Sequence, residues 1–257
     1  VRVRIVTWNV NSLRVRLPRV LELLDQHRPD VACLQETKCA PDTFPAAELA
    51  DAGYEAVHHS AGQWAGVALL ARRPLTLSDP VLELGGDPVG GEARWCEASI
   101  DGIRFASVYA PNGRALDSSE FPRKLAFLDA VAARVDELEA PPLLIAGDMN
   151  VAPSDLDVYD PAAFVGSTHV TPQERSRLEA LLDRGLHDAY RELHPDTVQY
   201  TWWDYRAGHF HKGLGLRIDL ALVSAELAGS LRSCGIDRNY RKGFKPSDHA
   251  PLLLELG

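Results

Sequence analysis

The chain has 257 residues, of which 46% are apolar and 25% are charged, and its formal net charge is −9. This composition is typical of a globular protein and excludes disordered and collagen-like chains. The longest apolar runs are far shorter than the ~20 residues of a membrane span, so we expect no membrane partner. The first residues alternate charged and apolar side chains and lack the apolar stretch of a signal peptide. We therefore expect a cytoplasmic protein whose four cysteines are reduced.

The first part of the chain predicts three strands and one helix. Residues 2–6 alternate with period two, as a strand with one buried face does. A helix follows, because apolar residues recur at i, i+3, i+4 and i+7 from Leu17 onwards. Short apolar runs at 31–34 and 67–71 predict the next two strands.

The rest of the chain begins with a loop, because residues 84–91 are rich in glycine and proline. Apolar runs at 95–100 and 103–109 flank an Asp-Gly pair, which is typical of a tight hairpin. A second amphipathic helix is predicted over 125–135. The remaining strands are predicted at 143–146, 218–223 and 252–256.

The order of these elements indicates the fold class. Helices and a hairpin between other strands do not form a purely alternating βαβ series. They favour an α/β fold in which two mixed β-sheets pack face to face and helices flank them. No internal repeat or convincing linker divides the sequence, so we expect residues 1–257 to form a single domain. We also expect the protein to be a monomer.

Polar residues stand where many of the predicted strands end or begin. Motifs of zinc proteases, serine hydrolases and P-loop enzymes are absent from the sequence. Oxygen-rich side chains suit Mg²⁺ or Mn²⁺ better than Zn²⁺. A divalent ion would offset repulsion among several acids, and a phosphodiester is a natural substrate for such a site. The candidate residues are Asn9, Asn11, Glu36, Tyr109, Asp148, Asn150, Asp219, Asp248 and His249.

Each candidate also has a structural explanation of its own. Glu36 could be a surface acid, Asn150 could cap the next segment, and Tyr109 could belong to the core. Asp248 and His249 could form a solvated loop pair. Taken together, these explanations are less convincing than a shared site, because they do not account for so many polar strand ends in one chain.

Basic residues are concentrated near the candidate site although the chain is acidic overall. Such groups can bind phosphates, or they can form a solvated face. The adjacent Trp202 and Trp203 could hold a sugar or a base, or they could pack in the core. The basic residues are Lys124, Arg217, Arg238, Arg241, Lys242 and Lys245.

Seven segments form a recognisable series, at 7–12 (TWNVNS), 34–38 (LQETK), 66–70 (GVALL), 109–113 (YAPNG), 147–150 (GDMN), 216–219 (LRID) and 247–251 (SDHAP). The series resembles the exonuclease III family of apurinic/apyrimidinic (AP) endonucleases, within the endonuclease/exonuclease/phosphatase superfamily. The segments follow the family's order and cover nearly the whole chain. The WNVN, QETK and WWDYR segments narrow the resemblance to the bacterial DNA-repair branch.

The resemblance implies a four-layered α/β sandwich with a nuclease activity. It implies Mg²⁺-dependent cleavage of duplex DNA on the 5′ side of abasic sites, with Mn²⁺ as a substitute ion. It also implies 3′→5′ exonuclease activity and the removal of 3′-phosphate and other 3′-blocking groups. The expected partner is therefore duplex DNA with abasic sites or blocked 3′ ends.

The resemblance also implies which residues hold the metal ion. Glu36 resembles the principal metal ligand, with Asn9 and Asn11 beside it. Asp248 resembles a supporting or alternative metal residue. Asn11 stands where eukaryotic relatives carry Asp, which leaves one less negative charge near the metal.

The catalytic roles transfer in the same way. Asp148 resembles the group that orients or deprotonates the attacking water, or protonates the leaving oxygen, and Asn150 would help to position it. His249, held by Asp219, resembles the residue that binds the scissile phosphate. Tyr109 resembles a hydrogen-bond donor to that phosphate.

The resemblance extends to DNA contacts. Lys124 resembles a DNA-contacting lysine, and Arg217, Arg241 and Lys242 are further candidates from the basic clusters. Three apolar residues match the pocket for a flipped abasic sugar, which excludes normal nucleotides by size. They are Trp202, Leu216 and Ile218, with Leu216 standing where eukaryotic relatives carry Trp.

Two rival functions stay open at this point. One is a phosphodiesterase of the same superfamily that acts on lipid or inositol phosphates. The apolar pocket and the basic stretch favour DNA over that substrate. The other rival is a DNA-binding module without catalysis, and the full set of acids, amides and His249 argues against it.

Overall fold

The computed structural model describes residues 2–86, 89–138 and 142–257. Two six-stranded sheets account for the strands of these residues. The first sheet contains β1 (Val3–Asn9), β2 (Val31–Gln35), β3 (Tyr54–His59), β4 (Val67–Arg72), β11 (Leu231–Ile236) and β12 (Leu252–Leu256). The second contains β5 (Ser78–Val81), β6 (Trp95–Ile100), β7 (Ile103–Tyr109), β8 (Leu143–Asp148), β9 (Leu186–Asp188) and β10 (Asp219–Ser224).

The helices lie between the strands along the chain. They are α1 (Leu13–His27), α2 (Ala46–Asp51), α3 (Glu120–Glu137), α4 (Pro172–Leu182), α5 (Ala189–Leu193), α6 (His209–Lys212) and α7 (Ala225–Ala228). Within the described ranges, no helix has the length and apolar character that a membrane crossing requires.

Both sheets are mixed. The first has the order β11-β12-β1-β2-β4-β3 and the second β5-β6-β7-β8-β10-β9. In each order the third and fourth strands are parallel, and their neighbours are antiparallel. Parallel neighbours need a crossover connection, and the two long helices α1 and α3 supply it. The two predicted amphipathic helices are therefore the crossovers of two βαβ units.

Alternation along the strands separates the core into layers. In β1, Ile5 faces the apolar cluster between the two sheets, whereas Val6 faces the cluster beneath α1. On the outer side of the second sheet, α3 buries Phe127 and Val131. The order of layers is thus helix, sheet, sheet, helix, and the predicted α/β sandwich is confirmed.

A buried polar network links the two sheets close to one edge. Gln35 Nε2 donates to Thr7 Oγ1 at 3.1 Å in its own sheet and to Ser107 Oγ at 3.0 Å in the other sheet. Ser107 Oγ in turn donates to the carbonyl of Leu34 at 3.0 Å. Because buried hydrogen bonds are directional, this network fixes how the sheets are aligned beside Glu36.

The predicted elements agree with the structure in their main features. The hairpin has its predicted bounds, with Asp101 and Gly102 in the turn at φ 49° and 80°. The described part of the predicted 84–91 loop has neither helix nor strand, and its Asp87 and Pro88 lie outside the described residues. The prediction missed β3, β5, β9 and β11, which are the four edge strands of the two sheets.

Candidate active site

The sheet registers bring the polar strand ends to one edge of the sandwich. Asn9 pairs with Gln35 at the ends of the parallel strands β1 and β2, so Glu36 follows at the same edge. Tyr109 pairs with Asp148 at the ends of β7 and β8, and Asp148 also pairs with Asp219. Both sheets therefore contribute residues to the site.

Three of these residues form a compact cluster. Glu36, Asp148 and His249 each offer a ligand atom, and these atoms lie within 4.8 Å of one another. Asp148 and His249 are almost fully buried, and Glu36 is partly exposed. The cluster could hold a metal ion, and its carboxylate oxygens are ligands that Mg²⁺ and Mn²⁺ accept.

Local backbone geometry turns the chain sharply at this edge. Glu36 and Asn150 have φ values of 52° and 51°, a left-handed conformation that is rare for residues other than glycine and common at functional sites. A glycine is required at position 147 for a different reason. A Cβ on this residue would lie 1.9 Å from the carbonyl oxygen of Val108. The glycine of the GDMN segment thus permits the close approach of β7 and β8 that places Asp148.

Asn9 separates the two carboxylates of the cluster. Its Nδ2 donates to Glu36 Oε1 at 2.7 Å and to Asp148 Oδ2 at 2.9 Å. Its Oδ1 accepts from the backbone N–H of Asn11 at 3.0 Å. The predicted metal ligand Asn9 therefore presents its NH₂ group to the acids and engages its oxygen elsewhere, so in this arrangement it holds the ligands instead of acting as one.

Asn11 lies between Asp248 and Lys38, the lysine that contacts Glu36. Its Nδ2 donates to Asp248 Oδ1 at 2.9 Å, and its Oδ1 accepts from Lys38 Nζ at 2.6 Å. Asp248 Oδ2 accepts from the indole of Trp202 at 3.1 Å. Both oxygens of Asp248 are thus held by neutral donors, and Asp248 is not part of the three-residue cluster.

The environment of Asp148 disfavours its charge. Its Oδ1 accepts from the backbone N–H of Asn150 at 2.9 Å. Burial raises the pKa of Asp148, the positive His249 lowers it, and the charges of Asp219 and Glu36 raise it again, to about 7. A carboxyl group with such a pKa can exchange a proton near neutral pH.

His249 lies between two acids. Its Nδ1 is 2.8 Å from Asp219 Oδ2, and its Nε2 is 3.8 Å from Asp148 Oδ2. Burial lowers the pKa of His249, but the charges of Asp219 and Asp148 outweigh burial and raise it to about 10. The imidazole therefore carries both protons near neutral pH and can donate from Nε2.

Tyr109 and Asn150 complete the wall on the side of the second sheet. Burial, followed by the charges of Glu36 and Asp148, raises the pKa of Tyr109 well above its usual value, so its hydroxyl stays a donor. Asn150 Nδ2 donates to the carbonyl of Ala110 at 2.9 Å, which fixes the carboxamide.

The structure corrects the prediction that Lys124 and Arg217 contact DNA. Both side chains are fully buried. Lys124 pairs with Glu174 and donates to the carbonyl of Asn150 at 2.6 Å. Arg217 is 2.7 Å from Asp157 and 2.7 Å from Asp188. Their charges are satisfied inside the protein, so neither presents a free donor to a phosphate.

The other two predicted DNA contacts differ from each other. Arg241 is buried, and its guanidinium lies 5.0 Å from the ring centroid of Phe210 and 5.3 Å from that of Tyr205. Arg241 therefore presents little surface to DNA in this arrangement, and its contact stays a prediction. Lys242 is exposed and stays a predicted contact.

The three predicted pocket residues lie close together, but two of them are buried. Trp202 and Leu216 exchange backbone hydrogen bonds, and Leu216 and Ile218 pack with Ala152 and Val158. Leu216 and Ile218 are buried, whereas Trp202 is partly exposed. Only Trp202 of the three therefore offers surface to a ligand in this arrangement.

The sequence reasoning missed two residues of the site. Lys38 contacts Glu36 and Asn11, and its position within the LQETK segment was the available signal. His169 is buried with its Nδ1 2.6 Å from the carbonyl oxygen of Asn150. Burial, followed by the charge of Lys124, lowers the pKa of His169 to about 4. No sequence signal pointed to His169.

Comparisons with known proteins identify the family of the chain. The model of the Endonuclease/Exonuclease/phosphatase family matches residues 6–249. Exodeoxyribonuclease III of Haemophilus influenzae is 32% identical to this chain, over 98% of this chain and 99% of its own length.

Two solved structures share the fold over almost their whole length. The 3′ phosphatase NExo from Neisseria, bound to a product DNA hairpin, has a TM-score of 0.96, 40% identity and 99% coverage of both chains. An AP endonuclease from Archaeoglobus fulgidus has a TM-score of 0.94, 33% identity and 98% coverage of both chains. The chain therefore belongs to the endonuclease/exonuclease/phosphatase family, in its exonuclease III branch.

Proposed function

We propose that the protein is a DNA repair nuclease that hydrolyses phosphodiester bonds with a bound Mg²⁺, for which Mn²⁺ substitutes. The observation that carries the proposal is the convergence of Glu36, Asp148 and His249 from distant parts of the chain within 4.8 Å. The names of the similar proteins support DNA as the substrate.

The donor set fits a hard divalent cation. Glu36 would hold the ion, because it is the partly exposed acid of the cluster and, among the described residues, no arginine forms an ion pair with it. When bound, the ion would polarise the phosphate and stabilise the negative charge of the transition state. The acid-rich cluster is otherwise costly, since like charges at short range repel.

The residues around this centre have complementary tasks. Asp148 takes a proton from the attacking water, because its carboxylate is buried within the cluster and burial disfavours its charge. His249, protonated and fixed by Asp219, donates a hydrogen bond to a phosphate oxygen. Tyr109 donates a second hydrogen bond to the phosphate, since its hydroxyl stays protonated.

Within this activity, we propose that the processing of 3′ ends is the main reaction and incision at abasic sites the slower one. The main reaction comprises 3′→5′ exonuclease action and the removal of 3′-phosphates or other blocking groups. A 3′ phosphatase and an exodeoxyribonuclease III are among the similar proteins, the former at 40% identity. The burial of Leu216 and Ile218 supports this order, because it leaves little of the predicted pocket open to an abasic sugar.

Incision at abasic sites is the second candidate activity. It is supported by the 33% identity to an archaeal AP endonuclease over 98% of both chains. Trp202 is partly exposed and hydrogen-bonded to Asp248 beside the cluster, so it could contact a displaced sugar.

We further propose that residues 1–257 act as one domain and as a monomer. Glu36 and His249 flank strands of the first sheet, and Tyr109, Asp148 and Asp219 belong to the second. The site is incomplete without both sheets, whereas one chain supplies all of it.

The test is an analysis of product ends on three duplexes. They carry a recessed 3′-hydroxyl, a 3′-phosphate or an internal synthetic abasic site, and each is incubated with Mg²⁺, Mn²⁺ or EDTA. We expect release of nucleotides and of phosphate from the first two, slower incision of the third, and no product with EDTA. Phosphoinositides serve as the alternative substrate. Hydrolysis of these lipids without any DNA product, or DNA cleavage that persists in EDTA, would contradict the proposal.

A further inference from the structure

The ammonium group of Lys38 lies on two oxygen atoms that the sequence predicted as metal ligands. Its Nζ is 2.7 Å from Glu36 Oε2 and donates to Asn11 Oδ1 at 2.6 Å. The side chain of Lys38 is 27% exposed and that of Glu36 is 15% exposed. The ammonium therefore contacts the acidic cluster from its solvent-accessible side.

The backbone directs Lys38 to this place. Glu36 and Lys38 both have left-handed conformations, with φ values of 52° and 50°. The backbone N–H of Lys38 donates to the carbonyl of Ala65 at 2.9 Å, which holds the turn. Two residues of one short turn thus present opposite charges to each other within the site.

In the described part of the chain, the ammonium of Lys38 is the only charged group that contacts Glu36 Oε2 and Asn11 Oδ1. The other polar atoms of these two side chains have different partners. Glu36 Oε1 accepts from the neutral amide of Asn9, and Asn11 Nδ2 is occupied by Asp248. Glu36 Oε2 and Asn11 Oδ1 are the two atoms that Lys38 bridges. Carboxylate and carboxamide oxygens are groups that either kind of cation accepts, ammonium or metal.

We propose that Lys38 is a tethered counter-cation, which occupies part of the metal position in the metal-free protein and has to leave it when a divalent ion binds. The inference rests on the metal site of the proposed function. Lysine suits the task, because its compact charge sits on a flexible stem with three rotatable donors. Lys38 thereby limits the affinity for metal and stabilises the acidic cluster between binding events.

Two physical effects give the proposal its direction. A divalent ion has to replace both contacts of the ammonium, and it then lies near a positive charge that repels it. Removing Lys38 should therefore tighten metal binding. A lysine that merely supports the turn, or that helps to assemble the ligands, would have the opposite effect or none.

The experiment measures Mn²⁺ binding directly by electron paramagnetic resonance, without DNA and without any activity assay. The variants are Lys38→Met, which removes the charge, and Lys38→Arg, which keeps it. Arg232→Gln is the matched control, because Arg232 is an exposed cation far from the cluster. It follows Leu231, which pairs with Leu256 at the C-terminal end of β12, whereas His249 precedes the opposite end of that strand. We expect Lys38→Met to bind Mn²⁺ about tenfold more tightly, Lys38→Arg to stay close to the unmodified protein, and Arg232→Gln to be unchanged.

Thermal unfolding provides a second readout. In EDTA, Lys38→Met should melt below the unmodified protein, because Glu36 loses its counter-charge. With saturating Mg²⁺ the difference should narrow, since at equal ligand concentration the protein with the tighter site is stabilised more. If Lys38→Met does not fold in EDTA, Lys38→Gln replaces it in both measurements.

The outcomes separate the two proposals. Equal or weaker Mn²⁺ binding by Lys38→Met, with clear binding by the unmodified protein, overturns the role of Lys38 and leaves the proposed function intact. Absence of Mn²⁺ binding in every variant overturns the metal site of the proposed function, and the role of Lys38 with it.

Discussion

Two groups of buried acidic residues in this protein differ in how their negative charges are balanced. Around Arg217, the carboxylates of Asp157 and Asp188 are matched by arginine, and Arg191 adds a second cation to Asp157. Around Asp148, acids gather with neutral amides, and His249 and Lys38 are the cations in contact with them.

The contrast is clearest between two aspartates of similar burial. Asp157 is 0% exposed and Asp148 is 2% exposed. Burial raises the pKa of Asp157, but Arg217 outweighs burial and holds it below the usual value. Burial, together with the charges of Asp219 and Glu36, raises the pKa of Asp148 to about 7, although His249 and Asn9 oppose the rise. Fixed arginines stabilise a buried acid, whereas an acid left without one is available for ions and protons.

The largest effect is expected from Asp148→Asn, which removes the proton acceptor and keeps the shape of the side chain. Turnover on a 3′-phosphate duplex should fall by about 10²–10⁴-fold, while affinity for the duplex is kept. The melting temperature without metal should not fall, since a buried repulsive charge is lost. Single-turnover rates, filter binding and thermal unfolding test the three parts. Turnover within about tenfold of the unmodified protein would remove Asp148 from the chemistry.

The matched change in the other group is Arg217→Met. It leaves Asp157 and Asp188 buried without their shared partner, which should lower the free energy of unfolding by about 3–5 kcal/mol. Urea denaturation measures this quantity. Arg177→Gln removes an exposed ion pair with Asp129 and should have a much smaller effect. Similar losses for the two variants would show that burial does not distinguish these pairs.

Acid should weaken the fold through Glu174 and His169. Burial raises the pKa of Glu174, but Lys124 outweighs burial and holds it at about 2. The pKa of His169 is lowered to about 4. Both groups take up protons at higher pH in the unfolded chain than in the folded one, so stability falls as pH decreases.

His169 should therefore lower the free energy of unfolding between about pH 6.5 and pH 4, where the raised pKa of Asp148 acts in the opposite direction. Glu174 should lower it further from about pH 4.5 towards pH 2. Urea titrations at a series of pH values measure the slope. His169 has a φ of 81°, and His169→Asn keeps a residue that tolerates this left-handed backbone. The variant should remove the contribution of His169 to the slope between about pH 6.5 and pH 4, so that the free energy of unfolding falls less, or rises, as the pH is lowered. An unchanged slope in that range would mean that His169 is not buried in its neutral form.

The smallest effect is expected outside both groups, at Lys242. It is the one exposed residue among the four predicted DNA contacts. Lys242→Gln should reduce the slope of log affinity against log salt by about 0.9, the value for one phosphate contact. Arg232→Gln, with the same change of charge, should leave the slope as it is. Equal slopes for both variants would place Lys242 away from the duplex.

The sequence predicted the central strands and missed the edges for one physical reason. A central strand is covered on both sides by other layers, so it reads as an apolar run, as 143–146 does. An edge strand has one neighbour and more solvent contact. All four residues of β5 are exposed or half-buried, for example, which leaves no apolar run to find.

The site was predictable in outline because strand ends converge. The sequence did not reveal the partners of buried charges, since these come from far along the chain. Lys124 meets Glu174, and Arg217 meets Asp157 and Asp188. A lysine or arginine read in isolation is assigned to the surface, and only the fold shows which of them are enclosed.

The Gln35–Ser107 hydrogen bond between the sheets has a consequence for catalysis although neither side chain contacts a substrate. Gln35 precedes Glu36, and Ser107 lies two residues before Tyr109, so the bond ties the two walls of the cleft together at their base. If this hydrogen bond breaks, the two sheets can shift relative to each other. The site residues on the two sheets would then move apart before the protein unfolds. We therefore expect activity to be lost on heating at a temperature below that of global unfolding.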